Sequence, residues 1–103
     1  MKELFIPLVL EKKEYHFEMK VGSFSAIIEY LQSKDTITLI QTGTDPVMEG
    51  WGATTAIIEK TIAYIDKNNL RLLPLCPLVI TYLRIHPEWK KLVVDIVSNR
   101  FAP

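Results

Sequence analysis

The chain has one cysteine, four glycines and no excess of either charge, and each shortage narrows the field. A lone thiol, Cys76, cannot close an internal disulfide, which fits a reducing compartment. Twelve Lys and Arg balance twelve Asp and Glu, so no global field favours nucleic acid or an anionic membrane surface. No apolar run approaches the roughly 20 residues that span a bilayer. No basic start followed by an apolar stretch marks a secretory signal. The expectation is a cytoplasmic protein with neither nucleic-acid nor membrane partner. His16 and His86 lie far apart and no Cys/His cluster has ligand spacing, so no metal site is expected.

What is present is the profile of a globular domain: 49% apolar and 23% charged residues in a chain of 103. That length supports a single core, so one domain over residues 1–103 is expected. "LFIPLVL" (4–10) reads as a short strand, with Pro7 placing it at an edge because proline donates nothing to a ladder. "EKKE" (11–14) reads as a charged link. In "YHFEMKV" (15–21), Tyr15, Phe17, Met19 and Val21 alternate with His16, Glu18 and Lys20, a period of two that marks a strand with one buried face. Gly22-Ser23 predicts a turn into a strand at 24–31, "QSKD" (32–35) a second turn, and "TITLIQTG" (36–43) a further strand rich in β-branched residues.

The period changes after Gly52. Ile58, Ile62 and Ile65 recur at helical spacing with Ala56 and Ile57 beside them, while Glu59, Lys60, Asp66 and Lys67 fall elsewhere on the wheel. Asn68-Asn69 predicts the helix stop. "LRLLPL" (70–75) is then a strand that a helical crossover makes parallel to 36–43. Pro77 opens a helix over 77–85 that ends before Pro87. The tail at 88–98 fits helix or strand equally. The expected class is α+β (mixed α/β), a mainly antiparallel sheet with a strand–GxG–helix–strand unit and short C-terminal helices.

Gly50 and Gly52 stand between that strand and that helix. Taken alone the pair has two readings: a structural turn, or a nest of backbone N–H groups for an anion at the positive end of the helix. It is not the dinucleotide pattern, because the third glycine position holds Thr55, and no Gly-Lys-Ser/Thr follows to make a P-loop.

The order strand, G-W-G-A, helix, strand resembles the acetyl-CoA site of the GNAT superfamily of N-acetyltransferases, whose signature is Q/R-x-x-G-x-G/A. More closely, the chain resembles the compact single-domain branch of that superfamily. There a His-Thr-type strand end leads through a Pro to the G-x-G. A short strand then ends in Pro-x-Cys-Pro/Ser-Tyr-Val, before Arg/Asn-Pro-x-aromatic. Here the matching stretches read "IQTGTDPVMEGWGA" (40–53) and "LPLCPLVITYLRIHPEWKKLV" (73–93). The upstream "FEMKVGSFSAIIEYL" (17–31) fits as well, so the similarity covers nearly the whole chain.

The resemblance implies the compact acetyltransferase sheet and acetyl-CoA as cofactor. It places the pyrophosphate on the amides of Glu49, Gly50, Trp51, Gly52, Ala53 and Thr54. The pantetheine arm would lie along the strand end at Gln41 and Thr42. It makes Cys76 a candidate catalytic residue that takes the acetyl group or lines the site. The other reading of Cys76 is a buried small hydrophobe. The acceptor would be a small-molecule or peptide amine. A site this small would draw part of its acceptor pocket from a partner or second subunit, such as a homodimer mate.

Three positions depart from the pattern: Val47 replaces Gln or Arg, Gln41 a frequent His, and Leu78 a frequent Tyr. Glutamine cannot serve as the general base that histidine can. Glu29, Asp45 and Glu49 are the carboxylates available instead, and Tyr82 lies one turn beyond Leu78. A non-catalytic CoA- or acyl-CoA-binding module and a plain interaction domain are therefore the alternatives to an enzyme.

Overall fold

The computed structural model describes residues 9–94. Five strands form one sheet in chain order: β1 (Glu11–Lys12), β2 (His16–Val21), β3 (Phe24–Ser33), β4 (Thr36–Thr44) and β5 (Arg71–Pro74). The first three pairings are antiparallel and β4–β5 is parallel, as the helical crossover requires. The helices are α1 (Pro46–Glu49), α2 (Ala53–Lys67) and α3 (Pro77–Ile85), followed by a 3₁₀ helix at Pro87–Leu92. This mixed α+β sheet is the class that the sequence predicts.

Alternation sets which face is buried. Phe17 and Met19 on β2, Ala26, Ile28 and Tyr30 on β3, and Ile37 and Leu39 on β4 point into the core. α2 covers them with Ile57, Ile58, Ile62 and Ile65, the stripe expected from the helical period. Phe17 lies between the rings of Tyr30 and Tyr64, 4.7 and 5.3 Å away. α2 stops where the asparagines predict. Asn69 turns left-handed at φ 57, the Leu70 N–H donates to the Ile65 carbonyl and the Asn69 N–H to that of Asp66.

The details differ from expectation in five places. The "EKKE" link is partly a strand, since Glu11 and Lys12 pair with Glu18 and Phe17. Tyr15 does not join the buried face. The Lys13 N–H donates to the His16 carbonyl, so the chain is still turning there and leaves Tyr15 61% exposed. The turn at 32–35 is tighter, because β3 runs on to Ser33 and Lys34 takes the left-handed conformation (φ 56). A short helix, α1, stands between β4 and the glycines. The tail at 88–98 becomes the 3₁₀ helix and one parallel bridge, Val93 to Leu72. Residues 95–98 of that tail, and 4–8 of the first expected strand, lie outside the described residues, while Val9 and Leu10 of that expected strand lie outside any strand. No helix among the described residues is long and apolar enough to cross a membrane.

Candidate functional site

β4 changes partners midway, and that change builds the site. Its pairing with β5 ends at Leu39 opposite Pro74. The Leu39 carbonyl then accepts both the Leu75 N–H (2.9 Å) and the Cys76 N–H (3.0 Å), which turns the chain off the sheet into α3. At the same point β4 bulges against β3: Tyr30 faces Leu39 but Glu29 faces Gln41, leaving Ile40 as the extra residue.

The bulge reverses which residues face which neighbour. Before it, the Leu39 carbonyl points to β5; after it, the Asp45 N–H points to Ser25 on β3 (3.0 Å). By alternation the backbone groups of Thr42 and Thr44 face away from β3, on the side β5 has vacated. A strand edge with free donors and acceptors is a template for an extended, amide-bearing ligand. The sequence expectation for Gln41 and Thr42 divides here. Thr42 offers its backbone to the open edge, while Gln41 is turned onto the sheet face opposite α2, where its side-chain amide donates to the Glu29 carboxylate at 3.3 Å.

Beyond β4 the chain is held by Asp45, whose carboxylate accepts the Ser25 N–H at 2.7 Å. α1 then tucks Met48 fully into the core. Of the six amides expected to form an anion cradle, four are engaged within the turn. Glu49 donates to Asp45 (2.9 Å), Gly50 to Pro46 (3.2 Å), Trp51 to Met48 (3.0 Å) and Gly52 to Glu49 (3.0 Å). The next intrahelical bond is from Ala56 to Gly52. Among the described residues, the N–H groups of Ala53, Thr54 and Thr55 therefore have no backbone acceptor and no side-chain cap. These three lie at the positive end of the fifteen-residue α2, a position whose free donors suit an anion. The Thr54 and Thr44 hydroxyls are bonded at 2.8 Å, tying the helix start to the open strand edge.

The glycines have different jobs. Gly52 sits at φ 78, which only glycine adopts freely, and swings the chain into α2. Gly50 has an ordinary helical φ of −63, and a Cβ there would meet nothing closer than 3.5 Å. Trp51 is half-buried and packs against the core. Cys76 is 2% exposed, at the N-cap just before α3 and beside the point where β4 and β5 part. Val47 and Leu78 are exposed. Tyr82 is buried and its hydroxyl donates to Glu59 on α2 (3.2 Å), while His86 stacks on its ring at 4.3 Å. Burial, then the Glu59 charge, pushes the Tyr82 phenol above its ordinary value.

Sequence reasoning missed the bulge, Thr44 and the Thr55 amide. A bulge leaves no mark in composition, and Thr44 gains a role only when α2 folds back onto it.

The arrangement thus joins three free helix N-terminal amides to an open strand edge. Comparison with known proteins agrees on the fold. Residues 16–92 match a family model described as GCN5-related N-acetyl-transferase. The NMR solution structure of a GCN5-like candidate N-acetyltransferase from Staphylococcus aureus is similar, with a TM-score of 0.64 at 17% identity, over 87% of this chain and 91% of that one. At that identity the likeness speaks for the fold. No curated protein matches the chain.

Proposed function

The chain belongs to the GCN5-related N-acetyl-transferase family, a family of acyl-transfer enzymes, and on that premise we propose that it is an acetyl-CoA-dependent N-acetyltransferase acting on an amine. One observation carries the proposal: the edge of β4 vacated by β5 runs into the three unpaired amides that open α2. The diphosphate goes to Ala53, Thr54 and Thr55, and the pantetheine amides to the backbone of Thr42 and Thr44. The acetyl end then lies where β4 and β5 part, beside Ile40, Leu75 and Cys76. Bound acetyl-CoA supplies an acetyl group activated as a thioester. The protein supplies proximity and orientation, worth up to about 7–11 kcal/mol when two reactants are well aligned. The domain works in the cytoplasm as a single acyl-transfer unit over residues 1–103.

A binding module without catalysis is the second reading, favoured by the burial of Cys76 and by Gln41 in place of a histidine. A thermal melt with and without acetyl-CoA, with adenosine monophosphate as control, tests ligand binding. Ligand at a hundred times its dissociation constant adds about 2.7 kcal/mol, on the order of ten degrees or more for a domain this size. No shift at millimolar acetyl-CoA sinks both readings. A shift without release of CoA thiol, across a panel of amines, leaves the binding module.

A further inference from the structure

An amine attacking a thioester must lose a proton, and the sequence offers three carboxylates around the site without choosing among them. We propose that Glu29 is the catalytic base and that the acceptor is a primary amine that reaches it as a cation across the sheet face opposite α2. The inference rests on the acetyl-CoA reading above.

The structure removes the other carboxylates. Asp45 is spent on the Ser25 N–H at 2.7 Å, a contact that holds the β4–α1 corner. Glu49 projects from α1 and is exposed, with no partner among the described residues to orient it. Glu59 accepts the Tyr82 hydroxyl between α2 and α3. Glu29 differs in place and in partner. It stands opposite Gln41 in the last pair before the bulge, one residue from the extra Ile40, where β4 and β5 have just separated. Gln41 follows Ile40 at the inner end of that gap and Glu29 stands one strand further in, so an acyl group carried there meets the pair from its Gln41 side.

The partner matters because it is neutral. The charged and titratable groups that the strands put on this face include Glu11 from β1, His16, Glu18 and Lys20 from β2, Arg71 from β5, and Glu29 itself, with His16 directly opposite Glu29. Glu11 meets the Lys13 ammonium at 3.2 Å, and Glu18 lies 3.7 Å from the His16 ring. Glu29 has a side-chain amide instead, at 3.3 Å. An amide donor fixes one carboxylate oxygen without cancelling the charge, so the other oxygen is left to receive an ammonium. Half-burial on the sheet lets an amine in from solvent. Gln41 thus gains a role that its side-chain chemistry alone denies it: it is a positioning residue for the base.

In the reaction the ammonium first gives one proton to Glu29, which passes it to solvent and frees the nitrogen lone pair. The nitrogen then bonds to the thioester carbonyl carbon and the carbon–sulfur bond breaks. A second nitrogen proton leaves through Glu29 to solvent, and the leaving thiolate takes a proton from water, so one proton is released overall. The products are an acetamide and CoA thiol.

The test is release of CoA thiol from acetyl-CoA with spermidine, benzylamine and a lysine-containing tetrapeptide as acceptors, and glutamate as an anionic comparator. Wild type is expected to acetylate at least one of the first three and to discriminate against glutamate. Glu29→Gln should lower kcat about a hundredfold or more, as loss of a general base does, with the acetyl-CoA melting shift intact. Gln41→Leu should lower it less, and His16→Gln should stay within about threefold of wild type. If Glu29→Gln turns over like wild type, or no amine is acetylated while acetyl-CoA still shifts the melt, this inference is overturned and cofactor binding stands. If acetyl-CoA produces no melting shift in wild type, the function proposed above falls, and this inference with it.

Discussion

The two sides of β4 are built from one strand and behave in opposite ways. On the β3 side it is paired along its length, from Ser33–Thr36 to Ala26–Thr44, with a single bulge. On the β5 side it is paired over four residues and then abandoned. A sheet gains stability by satisfying every backbone group, so the paired side is where the fold is held. The vacated side leaves backbone donors and acceptors free, and the groups proposed to hold acetyl-CoA lie there: the Thr42 and Thr44 backbone and the Ala53–Thr55 amides, with the buried Cys76 at the inner end. On that proposal, stability and cofactor capacity are divided across one strand rather than across two domains.

Substitutions that break this division should do so in a definite order. The largest effect belongs to the paired side. Ile28 is fully buried on β3 under α2. Ile28→Ala should cost about 2–5 kcal/mol of unfolding free energy, read by urea titration, while the folded fraction still binds acetyl-CoA. A loss of affinity in that folded fraction would show that the two sides are not separable.

The glycines come next. Gly52→Ala forces a Cβ into the left-handed region and should cost about 1–2 kcal/mol. Gly50→Ala has room and an ordinary φ, so it should be neutral or stabilise by about 0.4–1 kcal/mol. Equal destabilisation by both would mean that the turn differs from the one described here. A bulky change at Gly52 is accordingly a poor probe of the ligand alone, since it strains the fold first.

Tyr82→Phe should be the mildest of the destabilising changes, about 1 kcal/mol for one hydrogen bond, with no effect on acetyl-CoA affinity. It carries a pH signature. The phenol is held above its ordinary value of about 10 by burial and by Glu59, so its neutral form is the one the fold favours. Its contribution is complete below pH 10 and is lost as pH rises through the folded value. Wild type should therefore lose more stability than Tyr82→Phe above pH 10, and an identical alkaline decline in the two proteins would contradict the assignment.

The same division governs what the sequence could reveal. Phe17 and Met19 announce themselves by alternation, and the isoleucines of α2 by helical spacing, because local period dictates which face is buried. The asparagine stop and the Pro77 start are local too. The site was legible in outline: G-W-G before a helix, and Cys76-Pro77 after a short strand, mark where backbone leaves the sheet. Its working parts were not. The engagement of the Glu49–Gly52 amides depends on α1, a single turn with no periodic signal. The Glu29–Gln41 contact depends on a bulge that shifts register between two strands, which no stretch of either strand encodes alone.

The measurement that bears most directly on the central claim is an amide ¹H–¹⁵N NMR titration with acetyl-CoA. The largest shifts are expected at Thr42, Thr44, Ala53, Thr54 and Thr55, with the amides of β2 unmoved. Shifts confined to β2 and β3, or none at millimolar ligand, would contradict it: the vacated edge of β4 would then be a feature of the fold and not a binding site.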